Sequence, residues 1–310
     1  PFEAVDIRAG ATEEQRALMG DADLPAIAVN QVRDAPMRQI GERWPLVLFS
    51  HGAFGVRFQS VFWTVHLASH GYVVASCDHP GNTMYELLTE GWSQVGMVES
   101  ALVREADVAA MLDALESRAA EPEDGLYHVV DFDRIGMSGH SFGGLTTLLF
   151  SCNESRIRAM VPMTPVTSVV NVLSPCSLRD FTTPMMMMTA GLDSTLNTTR
   201  EMRDPYRTFQ MERYYVELLT GGHFSFSDIC SLDLNVLANE IGISVGGALD
   251  DGCGEHNIAV DDAHHIIRTF SIAFLNDHLR GSDDSYTFYG PEAGLAAADV
   301  ILYSDGNFSR

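Results

Sequence analysis

The sequence contains no lysine. Its 19 basic residues are all arginine, they stand against 42 acidic residues, and the formal net charge is −23. A field of this sign repels polyanions, and no cluster of arginines forms a basic patch against it. Nucleic acids and anionic membrane surfaces are therefore not expected as partners, and no lysine amine is available as a covalent nucleophile.

Long hydrophobic runs and closely paired cysteines are also missing. The longest apolar run, around Met185–Met188, is far shorter than the ~18 residues of a transmembrane helix and predicts a strand buried on both faces. The 5 cysteines are too scattered for a disulfide framework, and none forms a CxxC pair. With 46% apolar residues, the composition predicts one globular domain over residues 1–310 without a membrane span.

From Pro45 onward, short apolar runs alternate with helical patterns, which is typical of a mostly parallel sheet with helices on both faces. A loop-rich passage is expected from Asp78 through Trp92, and two long connections, 164–183 and 228–261, have the length of lids or binding loops. The apolar runs predict strands over 45–50, 72–77, 134–138, 157–163, 184–190 and 213–219. The helical patterns predict helices over 62–70, around Val108, Met111, Leu112 and Leu115, from Phe142, and around Ile266, Phe270, Ala273 and Phe274.

A predicted strand meets a predicted helix at residues 139–144, whose sequence is GHSFGG. Such a turn holds its serine, here Ser141, in a strained conformation with the hydroxyl exposed, and the small residues on either side let strand and helix approach. The helix start also directs backbone N–H groups toward that hydroxyl. The pattern predicts a nucleophilic serine, with a chance glycine-rich turn as the alternative.

A nucleophilic serine needs a base and a carboxylate that orients the base, and sites of this kind place the acid and then the histidine later in the chain. Asp193 follows the predicted strand 184–190, and His223 follows the strand 213–219, so both come just past the carboxyl ends of strands. Asp78 precedes the serine, and Asp204 lacks a strand directly before it. The remaining alternatives are Asp228 for the acid and, for the base, His51, His140, His264, His265 and His278.

Acyl transfer also needs donors for a developing oxyanion. The turn after the first strand, residues 50–55 (SHGAFG), predicts the backbone N–H of Ala53 as one donor, and the residue after the serine, Phe142, predicts the other. A plain strand end is the alternative for this turn. The side chains of Phe54, Met163 and Phe224 adjoin these motifs and predict an apolar substrate cleft, with core packing as the alternative.

Cys230 and Cys253 flank the long connection after His223, and a disulfide between them would stabilise that segment by roughly 3 kcal/mol. Two free thiols are the alternative, because spacing alone does not show that the sulfurs meet. A bridge favours a secreted or periplasmic protein. The acidic pairs Asp250–Asp251 and Asp261–Asp262 are interpreted as a solvated loop and a helix start rather than a calcium site, so no metal is expected.

The motifs FSHGAFG, LASHGYVVASCDHPGNT, GHSFGG and GGHFSFSDIC, within residues 45–280, resemble α/β-hydrolases of the group that holds platelet-activating-factor acetylhydrolases, dienelactone hydrolases and cutinase-like polyester hydrolases. The acetylhydrolases of that group place their acid after the strand that follows the nucleophile. At that place this chain has Met163-Thr164-Pro165, which contains no carboxylate. The spacing of Asp193 and His223 is similar to that of cutinases and dienelactone hydrolases. The resemblance implies the α/β-hydrolase fold and an esterase.

Together the residues and the resemblance predict a serine carboxylic-ester hydrolase that needs no cofactor and acts on a small-molecule or polymeric ester of short-to-medium acyl length, polyesters included. A phospholipid acylhydrolase of the platelet-activating-factor type, or an acyltransferase or perhydrolase with the same triad, is the alternative. A catalytically silent binding module is a third hypothesis, which the presence of all three triad residues disfavours.

Overall fold

The computed structural model describes residues 4–6, 8–19, 26–37, 41–90, 94–232, 251–289 and 300–304. Within them, seven strands form one sheet in the order β4-β3-β5-β6-β7-β8-β9, and two short strands near the N-terminus form an antiparallel ribbon. The strands are β1 Ala4–Asp6, β2 Ala26–Ala28, β3 Trp44–Ser50, β4 Val73–Cys77, β5 Val130–His140, β6 Ile157–Met163, β7 Met185–Ala190, β8 Arg213–Leu218 and β9 Val300–Ser304. The helices are α1 Glu13–Met19, α2 Val61–Ser69, α3 Met84–Glu90, α4 Gln94–Ala120, α5 Phe142–Asn153, α6 Val170–Leu173, α7 Asp204–Tyr206 and α8 Val260–Arg280.

The register of the parallel strands brings the turns of the predicted site to one edge of the sheet. Ser50 at the end of β3 pairs with Gly139 near the end of β5, and His140 pairs with Met163 at the end of β6. Ala190 at the end of β7 likewise pairs with Leu218 at the end of β8. The loops after these strands therefore leave the sheet side by side, at the edge where open α/β sheets build their sites.

Two helical layers cover the sheet. On one face α2 and α8 pack through Trp63, Leu67, Phe270 and Phe274, and on the other α4 and α5 pack through residues such as Leu112 and Leu148. Strand β7 lies between the layers, and its four methionines, Met185–Met188, are fully buried with alternate side chains in opposite layers. This confirms the strand buried on both faces that the run predicted.

The six strands predicted from the apolar runs are all present, with ends that shift by a few residues, and the mostly parallel α/β-hydrolase arrangement is confirmed. Strand β5 is longer than predicted and begins at Val130. Helix α3 lies in the passage that was predicted to be loop, and Ile267 rather than Ile266 is fully buried on α8. Strand β9, antiparallel to β8, was not predicted. No helix in the described ranges is long and apolar enough to cross a membrane.

The structure describes the first of the two long connections in full and the second only in part. Segment 164–183 contains α6. Its side chains Val170, Leu178 and Phe181 are buried in the hydrophobic layer around α5, because this removes their apolar surface from water. It is part of the core on that side of the sheet. Of the second connection, 228–261, residues 233–250, and with them Asp250, lie outside the described residues.

The structure contains two disulfides. Cys230 is bonded to Cys253, with 5.1 Å between their Cα atoms, as the sequence predicted. Cys152 at the end of α5 is bonded to Cys176, with 6.3 Å between Cα atoms, which the sequence analysis missed. The second bridge fastens segment 164–183 to α5, and Cys77 is left as the free thiol.

We predict that thiol titration of the denatured, unreduced protein detects one reactive thiol per chain, that of Cys77. After reduction the same titration should detect all five cysteines. A count of three before reduction would mean that one of the two bridges does not form, and peptide mapping would then show which.

Candidate active site

Ser141 lies between β5 and α5 with a backbone conformation that L-residues rarely adopt, φ 57° and ψ −115°. The close packing around it requires glycine: a Cβ at Gly139 would overlap the carbonyl of Gly143, and one at Gly143 would overlap the carbonyl of Ser50. The Ser141 N–H donates to the carbonyl of Met163 at 2.8 Å, which holds the turn against β6. The strained turn predicted at GHSFGG is therefore present.

Asp193 and His223 lie in the loops after β7 and β8 and meet at the same edge. His223 Nδ1 lies 2.8 Å from Asp193 Oδ2, and both side chains are buried. The other Asp193 oxygen, Oδ1, accepts the N–H of Leu196 at 2.7 Å, which fixes the carboxylate in its loop. His223 and Ser141 line one cavity, and their side chains do not form a hydrogen bond with each other. In sites of this kind the hydrogen bond between serine and histidine often forms only when substrate is bound.

Asp251, which the sequence analysis assigned to a solvated loop, is buried between the loops of Asp193 and His223. Its Oδ1 accepts the N–H groups of His223 at 2.8 Å and Ser194 at 3.0 Å, and its Oδ2 accepts the N–H of Thr195 at 2.7 Å. Burial raises the pKa of Asp251, but these hydrogen bonds outweigh it and the net pKa is lowered. An ionised carboxylate therefore holds the two loops together.

The two backbone groups predicted as oxyanion donors lie next to the serine turn. Neither Ala53 nor Phe142 donates its N–H to any acceptor within the described part of the chain, as expected for the first residue of α5. Phe54, in the turn after β3, has a positive φ of 55°, a backbone conformation that L-residues rarely adopt and that Ser141 shares. The Phe142 ring points away from the cavity into the layer around α5.

These groups surround a cavity of about 240 Å³. Phe54 and Phe224 line it, as predicted, and the lining side chains among the described residues carry no carboxylate or guanidinium. Met163 does not line it: it is the last residue of β6, and its side chain is fully buried on the face of the sheet that α8 covers. The lining residues are Ile27, Gly52, Ala53, Phe54, Gly55, Val56, Phe58, Gln59, Met84, His140, Ser141, Thr195, His223, Phe224, Ser227, Ile229 and Leu232.

The other predicted base candidates have different partners. His140 is buried, its Nε2 donates to the carbonyl of His223 at 2.9 Å and its Nδ1 accepts from Gln59 at 2.6 Å, so both ring nitrogens are engaged. Burial lowers the pKa of His140 well below its usual value. His51 is fully buried as well, and burial lowers its pKa in the same way. His264 contacts the carbonyl of Ser227 at 3.1 Å and stacks on Phe62.

The alternative acids are also engaged elsewhere. Asp78 forms an ion pair with Arg57, and Asp204 is exposed on α7. Asp228 accepts the N–H of Phe62 at 2.9 Å at the start of α2. Burial raises the pKa of Asp228 to about 7, although its hydrogen bonds to the backbone act to lower it. In the described residues, no group of three or more histidine, cysteine or acidic side chains is arranged to hold a metal ion.

Comparison with known proteins identifies the family. Residues 46–238, more than half of the chain, match the family model described as PET hydrolase-like. The chain belongs to the PET hydrolase-like family. The resemblance to α/β-hydrolase esterases that the motifs indicated is thereby confirmed, and the residues matched include Ser141, Asp193 and His223.

Curated relatives of this PET hydrolase-like chain include acetylhydrolases and cutinases. It is 22% identical to platelet-activating factor acetylhydrolase of Canis lupus familiaris over 285 residues, which cover 79% of this chain and 59% of that protein. It is 24% identical to cutinase est1 of Thermobifida alba over 182 residues, 58% of this chain and 53% of that protein. The chain thus spans about 60% of the length of the acetylhydrolases it matches.

Among solved structures, a ferulic acid esterase from Streptomyces cinnamoneus superimposes with a TM-score of 0.66 and 21% sequence identity. The match covers 90% of this chain and 78% of that one. At this identity the likeness shows the fold, and it confirms the α/β-hydrolase architecture.

Asp228 generates a prediction for stability. Because its pKa rises from 3.8 to about 7 on folding, the folded state keeps a proton that the unfolded state releases, and stability falls as the pH rises through this window. Asp228→Asn keeps an acceptor for the Phe62 N–H without the charge. We expect its stability relative to wild type to increase by on the order of 2 to 4 kcal/mol between about pH 4 and about pH 8 in urea unfolding.

The exposed Asp204 supplies the control, since Asp204→Asn should show no such trend. A difference between Asp228→Asn and wild type that is the same at both pH values would contradict the burial argument.

Proposed function

We propose that the chain is a serine carboxylic-ester hydrolase in which Ser141 is the nucleophile, His223 the general base and Asp193 the carboxylate that orients His223. The observation that carries the proposal is the 2.8 Å contact between His223 Nδ1 and Asp193 Oδ2, with the His223 ring and the Ser141 hydroxyl facing one cavity. Membership of the PET hydrolase-like family supports the same chemistry. The three residues come from three different loops, and their chain order of serine, acid and histidine is that of α/β-hydrolases.

The mechanism follows from the roles of these groups. Ser141 Oγ attacks the ester carbonyl carbon while His223 Nε2 takes its proton, and Asp193 stabilises the resulting imidazolium. The N–H groups of Ala53 and Phe142 donate to the oxyanion of the tetrahedral intermediate. His223 then returns the proton to the leaving alcohol, which gives an acyl-enzyme. Water, deprotonated by His223, attacks the acyl-enzyme, and release of the carboxylic acid restores Ser141.

The cavity favours uncharged esters with apolar acyl groups. Its lining is largely aliphatic and aromatic, and none of the described residues there has a carboxylate or guanidinium to pair with an ionic substrate. At about 240 Å³ it suits a short-to-medium acyl chain or one unit of a polyester, in keeping with the cutinases among its relatives. The two disulfides favour a protein that works outside the reducing cytosol.

Hydrolysis of a phospholipid acyl ester is a second candidate. The acetylhydrolase match covers 79% of this chain, more than the 58% of the cutinase match, and this favours it. Transfer of the acyl group to an alcohol or a peroxide uses the same acyl-enzyme, and the product partition with an added alcohol distinguishes it from hydrolysis.

The nucleophile is tested by Ser141→Ala. We expect the turnover of a p-nitrophenyl ester to fall by roughly 10³- to 10⁶-fold and labelling by a fluorophosphonate probe to stop, because both reactions need the hydroxyl. Ser155→Ala, at an exposed position after α5, is the matched control and should keep both. An active Ser141→Ala variant would refute the proposal.

The acyl site is tested by Leu232→Trp, which fills part of the cavity from the loop after His223. We expect kcat/KM in a series of p-nitrophenyl esters to fall by about 10-fold or more for the longer acyl chains and to change little for acetate, since one excluded methylene is worth ~1 to 3 kcal/mol. An equal loss for all chain lengths would place the acyl group elsewhere. Phospholipid and polyester substrates in the same series distinguish the two candidate functions.

A further inference from the structure

Arg104 is a buried cation directly behind the two backbone groups assigned above to the oxyanion. It lies on α4, only 1% of its surface is exposed, and it does not line the cavity. Its Nη1 donates to the carbonyl of His51 at 2.5 Å, and its Nη2 donates to the carbonyl of Gly52 at 3.2 Å and to Asn82 Oδ1 at 2.6 Å. One guanidinium therefore holds two carbonyl oxygens at the start of the turn after β3 and a side-chain oxygen from the loop after β4.

The bond to Gly52 contributes to the direction of the Ala53 N–H. The Gly52 carbonyl and the Ala53 N–H belong to one peptide unit, and in a trans peptide these two groups point in opposite directions. No cis peptide occurs among the described residues. The Gly52 oxygen is held on the buried side by Arg104, and it also accepts from His51 Nδ1 at 2.7 Å and from the N–H of Gly55 at 3.1 Å within the turn. The Ala53 N–H is thereby turned to the opposite side, away from the guanidinium.

The preceding peptide follows the same geometry. Arg104 holds the carbonyl of His51, and the N–H of that peptide unit, on Gly52, donates to Gln59 Oε1 at 2.8 Å. Gln59 lines the cavity, so this N–H points toward the cavity side as the geometry requires. Two successive peptide units are thus oriented by one side chain.

Arg104 also contacts the second donor segment. Its guanidinium carbon lies 4.8 Å from the centroid of the Phe142 ring, within the range of a cation–π contact. Phe142 is the first residue of α5, so the position of its ring and the position of its N–H are coupled through a short, rigid backbone. The same side chain therefore touches both segments that carry the assigned donors.

We propose that Arg104 is a positioning residue that sets the distance and direction of the Ala53 and Phe142 N–H groups toward the oxyanion. This inference rests on the proposed ester hydrolysis. An arginine is required because its planar fork reaches two carbonyls and an amide oxygen at once, which the single ammonium of lysine does not. Asp107, one turn further along α4, supplies negative charge that favours the buried cation.

Asp107 belongs to a second serine–histidine–aspartate arrangement, which ends at Ser50, the last residue before the turn after β3. Asp107 Oδ2 lies 2.8 Å from His79 Nδ1, and His79 Nε2 lies 2.8 Å from Ser50 Oγ. Ser50 and His79 are buried and do not line the cavity, so this chain of hydrogen bonds packs behind the site. Arg104 Nη1 lies 3.4 Å from the same Ser50 hydroxyl.

The test compares Arg104→Lys with Arg118→Lys, an exposed position on the same helix. Three quantities are measured: kcat and KM for a p-nitrophenyl ester, the inhibition constant of an alkyl boronic acid, and the dissociation constant of butylbenzene. The boronic acid adds to a serine Oγ and forms a tetrahedral anion that needs the oxyanion donors. Butylbenzene has no oxygen and reports only the apolar cavity.

For Arg104→Lys we expect kcat and boronic-acid affinity to fall together by about 10- to 100-fold, while KM and butylbenzene affinity stay within about 2-fold. Arg118→Lys should match wild type in all three. Unchanged boronic-acid affinity in Arg104→Lys would overturn the inference, as would equal losses of boronic-acid and butylbenzene affinity, which indicate a general collapse of the site.

Asn82→Ala provides a second variant that keeps the arginine but removes the oxygen that holds its Nη2. We expect the same pattern with a smaller loss of about 3- to 10-fold, and a wild-type boronic-acid affinity would overturn the inference even where Arg104→Lys fails to fold. Failure of the proposed function gives a different result. The wild-type protein would then not hydrolyse the ester, and Ser141→Ala would bind the boronic acid as well as the wild-type protein does.

Discussion

The close approach of β3, β5 and the start of α5 is the constraint on which the site depends. At Gly139 and Gly143 the backbone of the serine turn packs directly on that of Ser50, with no space for a side chain at either position. This contact bends the chain at Ser141 and sets the turn after β3 beside the first N–H of α5. The proposed nucleophile and the proposed donors for its oxyanion are then at a fixed separation before any substrate enters.

Around this contact, buried ionic groups fix the loops that side-chain packing alone does not. Asp251 accepts backbone N–H groups from the loops of Asp193 and His223, and Arg104 donates to backbone carbonyls of the turn after β3. Each group costs solvation energy when it is buried, and several hydrogen bonds to the charged form offset that cost. Among the described residues, the side chains that line the cavity carry no carboxylate or guanidinium, in keeping with the uncharged esters proposed as substrates.

The parts of the site that local patterns determine were predictable. Ser141, Asp193 and His223 each follow a short apolar strand, and the parallel register brings such ends together. Met163 was assigned to the cleft because it adjoins a motif, but at the end of β6 its side chain points into the core on the α8 face. The role of Asp251 depends on contacts with residues 28 and 57 positions away, and no periodicity marks it. The position of Arg104 could have been recognised in the sequence. It lies one helical turn before Val108 and Leu112 on the same apolar face, and a charged residue is rarely buried on such a face unless it has hydrogen-bonding partners.

The position of Asp251 in the chain has a consequence for how the protein is made. All three proposed catalytic residues emerge from the ribosome before the carboxylate that joins their loops does. A nascent chain that ends before Asp251 therefore contains the serine turn, the acid and the base but lacks the acceptor for the backbone of the His223 and Asp193 loops. Since α8 follows this residue and covers one face of the sheet, the site is completed only after Asp251 and α8 have been synthesised and have folded onto the rest.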